Sequence, residues 1–219
     1  MSRAAVYVDI HTHRIAGGAI EMLSLNALDP APAPIHVPYS CGIHPWDADK
    51  VWEQAVARIA TDARLSAIGE CGLDNICPAS KPRQREIFIR QLEIANRRRL
   101  PVIIHCVRAF EQTMEILKGF PNVTAIFHGF IGSPQQARRA VDHGCCLSFS
   151  MRSLRSPRTV EALGQTPTDR LFIETDDSPD PIAQTYAAVA HTIGCDPEVL
   201  ETTIYNNFNR IFNGNASME

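Results

Sequence analysis

Short apolar runs alternate with longer amphipathic stretches along most of the chain, and this alternation restricts the possible folds more than any other feature. Several of the apolar runs are continuous, which is typical of parallel strands buried on both faces. Eight runs predict strands: 5–10, 19–25, 35–43, 65–70, 101–106, 123–128, 145–150 and 171–175. Seven other stretches predict amphipathic helices: 47–63, 82–99, 109–118, 134–143, 157–164, 181–193 and 197–212. Such an alternation predicts an α/β fold with a parallel sheet.

The number of strands favours a (β/α)8 TIM barrel, but a trimmed one. The chain has 219 residues, whereas barrels of this type typically run to about 250 residues. A Gly-Gly turn at 17–18 and a proline-rich segment at 28–38 join the first three strands and leave no room for full helices. We therefore predict a single domain over residues 1–219, an α/β barrel whose outer helices are reduced around strands 1 to 3.

Composition argues against a membrane protein and against a secreted one. No apolar stretch approaches the roughly 20 residues of a spanning helix, and the N-terminus has no signal segment. The 7 cysteines form no C-x-x-C pair, so we expect free thiols in a reducing cytoplasm. The net charge of −3 means that an anionic substrate would have to be held by a local patch or by metal.

Polar residues with metal-ligand chemistry follow several of the apolar runs. In "VDIHTH" (8–13), two histidines stand two residues apart, so a strand would project them from one face. The full set comprises four histidines and two carboxylates: His11, His13, Glu70, His105, His128 and Asp176. In a barrel these side chains would converge on the C-terminal rim, where catalytic groups gather. The set suits two divalent ions with a bridging carboxylate, zinc first and magnesium or manganese as alternatives.

A single histidine at a strand end is more often a hydrogen-bonded rim residue than a ligand. We interpret His36, His143 and His191 in that way. His44, in "GIHPW", either lines the pocket or shapes a turn with Pro45, and the sequence favours neither interpretation. The six strand-end residues together are a different case, because their joint occurrence by chance is improbable.

Ordered segments over nearly the whole chain resemble the TatD family of metal-dependent deoxyribonucleases, within the amidohydrolase-like superfamily. The most specific of them are "DIHTH" (9–13), "CGIHPW" (41–46), "AIGECGLD" (67–74), "IFHGFIGS" (126–133) and "RLFIETDDSP" (170–179). The resemblance implies that His11 and His13 bind one metal with Asp176, that Glu70 bridges both ions, and that His105 and His128 hold the second. It also implies that a water activated by the two metals attacks phosphorus, with Glu70 and Asp176 as the catalytic carboxylates and Asp176 orienting that water or accepting its proton.

The candidate substrate residues depart from the family's usual pattern more than the candidate ligands do. The family commonly shows "HCFSGS" where this chain has "HGFIGS". Arg152 and Arg155 follow the seventh predicted strand, where their guanidinium groups could hold phosphates bidentately. Among the aromatic residues, Trp46, Phe130 and Phe149 are the rings best placed to stack on a base. Phe130 is the first choice, and packing in the core is an equal alternative for it.

These observations predict a metal-dependent hydrolase, a TatD-like exonuclease that cleaves phosphodiester bonds at single-stranded or frayed DNA ends. Two other functions remain open at this point. One is a small-molecule amidohydrolase or esterase that uses the same ions on a carbonyl carbon. The other is a partner subunit of a multi-protein system that acts mainly by docking. We expect a monomer or a small oligomer, and the sequence does not decide between them.

Overall fold

The computed structural model describes residues 6–29 and 34–213, and these contain eight strands and seven α-helices. The strands are β1 (Tyr7–Thr12), β2 (Ala19–Asn26), β3 (Tyr39–Gly42), β4 (Ala67–Asp74), β5 (Val102–Val107), β6 (Ala125–Phe127), β7 (Cys146–Phe149) and β8 (Leu171–Ile173). The helices are α1 (Glu53–Thr61), α2 (Lys81–Arg98), α3 (Phe110–Leu117), α4 (Pro134–Asp142), α5 (Pro157–Gly164), α6 (Ile182–Ile193) and α7 (Pro197–Phe208). Each lies where the sequence predicts it, and only residue 5 of the first strand prediction lies outside the described residues.

The backbone forms two compact units, which we name by their position in the sequence. The central unit consists of the described part of 23–128, and in it the strands from β2 to β6 pair in chain order, each parallel to the next. Helices α1, α2 and α3 follow β3, β4 and β5, so each connection crosses from one strand to the next parallel strand. All eight residues of β4 are buried, as expected for a strand covered on both faces.

The terminal unit consists of 6–22 and 129–213 and is also built on parallel strands. In this unit β7 pairs with β8 in parallel, and Thr12 of β1 forms a parallel bridge with Asp176, which follows β8. Buried side chains tie helices to these strands. The hydroxyl of Tyr186 in α6 accepts from the N–H of Val8 and donates to its carbonyl, both at 3.0 Å. Asn207 in α7 donates to the carbonyl of Leu171 at 3.0 Å.

The connections around the first three strands are short, as the sequence predicts. No helix lies in 13–18 or in the described parts of the β2–β3 connection, 27–29 and 34–38. The strand predicted over 35–43 is limited to Tyr39–Gly42, because Pro38 has no N–H to donate to a ladder. The helix predicted over 47–63 begins only at Glu53, after a short 3-10 helix at Pro45–Asp47. At the other end of the chain, α7 stops at Phe208 and a π-helical turn, Asn209–Asn213, follows.

Strand β4 is longer than predicted and irregular at the point where Glu70 lies. The sequence predicts a strand that ends at residue 70, whereas β4 continues to Asp74. Its register against β5 shifts between Ile68 and Cys71, so the intervening Gly69 and Glu70 lie outside the regular pairing. Irregularities of this kind re-aim a side chain and are common beside active sites.

Two buried glutamines of α2 fix the backbone of neighbouring loops. The N–H of Ile43 donates to Gln91 Oε1 at 2.7 Å, and Gln91 Nε2 donates back to the Ile43 carbonyl at 3.1 Å. Gln84 Oε1 accepts from the N–H of Asp74 at 2.9 Å, and its Nε2 donates to the Ala79 carbonyl at 3.0 Å. Because α2 packs along β4, these side chains hold the chain at residues 43 and 74 in defined positions.

The thiols and the length of the helices are two further features of the described residues. All seven cysteines are free thiols, and burial raises the pKa of Cys41 to about 11 and that of Cys145 to about 12. Among the described residues, the helices are all too short or too polar to cross a membrane.

The close approach of β4 and β5 requires glycine at position 72. Gly72 has φ of +147°, and a Cβ there would lie 2.0 Å from the carbonyl oxygen of His105. We expect Gly72→Ala to lower the free energy of unfolding by about 3 kcal/mol, because it combines backbone strain with a clash against main chain. Urea denaturation measures this loss. Gly164→Ala is the control, since its added Cβ meets nothing within 4 Å, and equal midpoints for the two variants would contradict the prediction.

The buried amide of Gln91 generates a second stability prediction. In Gln91→Leu the N–H and carbonyl of Ile43 lose their side-chain partner, and each buried group left unsatisfied costs about 1–3 kcal/mol. We therefore expect a clearly lower midpoint of urea unfolding. Gln54→Leu, on the exposed face of α1, is the matched control and should leave the midpoint almost unchanged. A Gln91→Leu protein as stable as that control would refute the role given to the amide.

Candidate metal centre

Three imidazole nitrogens surround one carboxylate oxygen in the central unit. Glu70 Oε1 lies 2.6 Å from His105 Nδ1, 2.8 Å from His128 Nε2 and 3.3 Å from His44 Nε2. His105 lies in β5, His128 directly follows β6, and His44 follows β3. Neighbouring parallel strands bring their carboxyl ends to one edge of a sheet, and this explains why residues so distant in sequence meet. We call these four side chains the Glu70 cluster.

The chemistry of the Glu70 cluster fits a divalent cation. His105 Nδ1 lies 3.2 Å from His44 Nε2 and 3.4 Å from His128 Nε2, so ring nitrogens face each other as well as the carboxylate. A neutral imidazole has one N–H and one lone pair, so such a group cannot satisfy every facing atom with protons alone. Ligand atoms of His44, Glu70 and His105 all lie within 4.8 Å of one another. Nitrogen and carboxylate ligands converging in this way suit zinc and similar ions.

Asp74 contacts His105 on the side of the ring that faces away from Glu70, and the sequence analysis assigned it no role. Its Oδ2 lies 3.3 Å from His105 Nε2 and accepts from the indole N–H of Trp46 at 2.7 Å. Burial by itself would raise the pKa of Asp74, but hydrogen bonds from Trp46 and the N–H of Ile76 outweigh it and hold the pKa below the usual value. The ionised carboxylate therefore fixes the orientation of the His105 ring. The available signal was the aspartate that closes "GECGLD".

Three further residues of ligand type lie together in the terminal unit. Asp176 Oδ1 lies 3.4 Å from His13 Nε2 and 3.6 Å from His11 Nε2, and the two imidazole rings meet edge to face at 5.0 Å. The backbone fixes this arrangement, since Asp176 N–H donates to the His11 carbonyl at 2.9 Å and His13 N–H donates to the Asp176 carbonyl at 3.2 Å. Two imidazoles and a carboxylate again make a donor set that a divalent cation accepts. We call these residues the Asp176 cluster.

Asp9 anchors the segment that leads into Asp176. Thr175 N–H donates to Asp9 Oδ1 at 3.0 Å, and Thr175 Oγ1 lies 2.5 Å from Asp9 Oδ2. Burial raises the pKa of Asp9 to about 7, although the two hydrogen bonds from Thr175 act in the opposite direction. Asp9 stands two residues before His11, but the sequence indicates no partner for it, because Thr175 is more than 160 residues away.

The candidate substrate residues have different environments. Arg152 and Arg155 are exposed on the short 3-10 helix region after β7, where the sequence predicts them. Phe130 is only 5% exposed and packs edge to face against Phe149 at 5.8 Å between ring centroids. The prediction of Phe130 as the stacking ring is therefore wrong, because its side chain is buried in the core. Trp46 has the opposite character and is 64% exposed.

His44 combines the two interpretations that the sequence left open. Its Nδ1 accepts from the Trp46 N–H at 3.2 Å and so shapes the turn at Pro45–Asp47, while its Nε2 faces Glu70. His36 is exposed, His143 ends α4 and His191 lies on the exposed face of α6, and none of the three belongs to either cluster.

Comparisons with known proteins identify the family to which this chain is similar. The family model described as TatD related DNase matches residues 21–213. The 3'-5' ssDNA/RNA exonuclease TatD of Cronobacter sakazakii is 32% identical over 204 residues, which are 81% of this chain and 78% of that protein. The uncharacterized metal-dependent hydrolase YcfH of Escherichia coli is 29% identical over 201 residues, 83% of this chain and 76% of its own.

Solved structures show the same fold. YjjV, a TatD homolog from Escherichia coli, superposes with a TM-score of 0.81 at 22% identity, covering 95% of this chain and 97% of that one. A TatD family hydrolase from Entamoeba histolytica superposes with a TM-score of 0.79 at 14% identity, covering 96% and 99%. These likenesses confirm the predicted (β/α)8 barrel fold. The family match over 21–213 and the 32% identity to the Cronobacter protein establish that the chain belongs to the TatD related DNase family.

Proposed function

We propose that this protein is a metal-dependent hydrolase of phosphodiester bonds, an exonuclease that acts on single-stranded or frayed DNA ends. The observation that carries the proposal is the convergence of three imidazole nitrogens on Glu70 Oε1. Family membership supports the reaction class, and the name of the Cronobacter relative, a 3'-5' ssDNA/RNA exonuclease, supports the substrate.

The proposed centre holds two divalent ions within a single domain over 1–219. In this proposal His11, His13 and Asp176 would hold one ion, and Glu70, His105 and His128 would hold the other. The imidazole-rich donor set favours zinc over magnesium, with manganese between them. Ions held there would neutralise charge on the phosphate oxygens and lower the pKa of the attacking water.

The chain's own residues have distinct tasks in this reaction. Asp176 orients the water and accepts its proton, because its carboxylate stands beside both histidines of the Asp176 cluster. His44 acts as a donor: its Nδ1 accepts from Trp46 N–H, so in the neutral ring the proton is on Nε2, which faces Glu70. Asp74 holds the His105 ring in place.

Binding of the substrate backbone depends on local charge, since the chain as a whole carries a net charge of −3. Arg152 and Arg155, both exposed after β7, are the proposed phosphate contacts.

The seven free thiols support a cytoplasmic location. A monomer or a small oligomer is the proposed active form, with a protein partner as the open alternative.

Cleavage of end-labelled single-stranded DNA tests the proposed reaction directly. We expect wild-type protein to shorten the strand stepwise with zinc, manganese or magnesium supplied in turn, and labels at either end give the direction. Glu70→Gln and Asp176→Asn should each lose at least about 100-fold in rate, because each removes a charge that acts at the reacting phosphate.

Asp177→Asn is the matched control for these variants, because Asp177 is the exposed carboxylate next to Asp176 and should retain full activity. If the protein contains bound ions and leaves DNA intact, the nuclease proposal fails. Turnover of a neutral amide or ester by that same protein would instead establish the small-molecule hydrolase.

Metal content provides a separate prediction. After dialysis against zinc and removal of free ions, elemental analysis should find two ions per wild-type chain and one per chain in His105→Ala. Binding should weaken as the pH falls, because protons compete with the metal for the imidazole nitrogens. His191→Gln, on the exposed face of α6, is the control and should keep both ions. Two ions in His105→Ala, or none in wild type, would contradict the proposed ligand set.

A further inference from the structure

Trp46 presents a large aromatic surface beside the Glu70 cluster. Its side chain is 64% exposed, although it belongs to the short helix that directly follows His44. The indole meets the His44 ring edge to face at 5.0 Å and lies 6.5 Å from the His105 ring. The other tryptophan, Trp52, is buried and covered by the Arg83 guanidinium, so it serves the core. Trp46 contributes its ring to no such core.

The exposed ring is nevertheless held in one orientation. Its Nε1 donates to Asp74 Oδ2 at 2.7 Å, and Asp74 is only 1% exposed. Asp74 is fixed in turn by the N–H groups of Ile76 at 2.8 Å and Cys77 at 3.2 Å. The edge of the indole is therefore anchored on a buried carboxylate while much of its surface remains open. A ring held in this way loses little conformational freedom when a ligand binds to it.

We propose that Trp46 is a stacking platform for one base of a nucleic-acid strand whose phosphate lies at the Glu70 cluster. This inference rests on the proposed function and specifies its substrate class. Stacking on an indole tolerates any base, because every base has a π-face. Orientation of Asp74 alone would need only a donor and would not need an exposed bicyclic ring.

A stacking platform at Trp46 also predicts a preference for single strands. A base that lies flat on Trp46 must leave its own helical stack, and this is easy only in a single strand or at a frayed end. The phosphate and base contacts then have separate roles. The Glu70 cluster binds the backbone phosphate, which every strand has, whereas Trp46 binds only where a base is present. An abasic strand satisfies the first contact and fails the second.

Fluorescence titration of the full chain tests this inference without relying on turnover. In a Trp52→Phe background, Trp46 is the only tryptophan of the chain. With the ions in place, a short phosphorothioate oligo(dT) that resists cleavage should quench its emission, whereas an abasic strand of the same backbone and length should not. Fluorescence anisotropy of labelled strands gives Kd for variants without the indole. Trp46→Ala should raise Kd for oligo(dT) about ten- to hundredfold and change Kd for the abasic strand little.

Two further variants separate stacking from effects on folding or on Asp74. Trp46→Phe removes the Nε1 donor but keeps a ring, so it should recover most of the affinity for oligo(dT). Val51→Ala, at another exposed apolar residue of the same region, should leave both Kd values unchanged. Loss in Trp46→Phe equal to that in Trp46→Ala would overturn the platform and make Trp46 a positioning residue for Asp74.

Different results would contradict the stacking platform and the proposed nuclease function. If wild type shortens DNA but binds oligo(dT) and the abasic strand equally, the stacking platform is wrong and the nuclease stands. If wild type neither binds nor shortens oligo(dT) while its ions are in place, the proposed function is wrong, and the platform is wrong with it.

Discussion

Burial of the Glu70 carboxylate beside three imidazoles is the constraint on which the rest of the central unit depends. An ionised carboxylate in a largely buried position is unfavourable unless charge or hydrogen bonds compensate it. The compensating groups come from the ends of three different strands, so the strands must hold their relative positions closely. Three contacts meet this requirement. Gln91 holds the main chain of Ile43 next to His44, and Gln84 holds that of Asp74. Gly72 allows β4 to lie directly against the carbonyl of His105.

The general outline of fold and site was readable from the sequence because both follow local rules. Apolar runs of strand length, separated by amphipathic stretches, indicate parallel strands and crossover helices. His11 and His13 follow the two-residue period of a strand, and the structure places both beside Asp176. The ends of elements were less predictable. Strand β4 extends to Asp74 through an irregularity at Gly69 and Glu70, which the period of the sequence does not reveal.

Residues whose role depends on distant partners could not be assigned in that way. Phe130 and Trp46 are both aromatic residues near a candidate ligand in sequence, yet one is covered by Phe149 and the other is exposed. The difference comes from the packing of other elements against each ring, which no local pattern encodes. Asp9 and Asp74 were missed as supporting residues for the same reason, since Thr175 and His105 meet them only after folding.

These two aspartates support their clusters by different physical means. Asp74 is surrounded by donors from Trp46, Ile76, Cys77 and His105, so its pKa stays low in spite of burial and it presents a negative charge to the far side of His105. Asp9 receives its hydrogen bonds from Thr175, but burial dominates, and its pKa rises to about 7. Asp74 therefore presents charge to His105, whereas the hydrogen bonds of Asp9 hold the backbone that leads into Asp176. Electrostatic support thus belongs to the cluster that contains Glu70, and positional support to the one that contains Asp176.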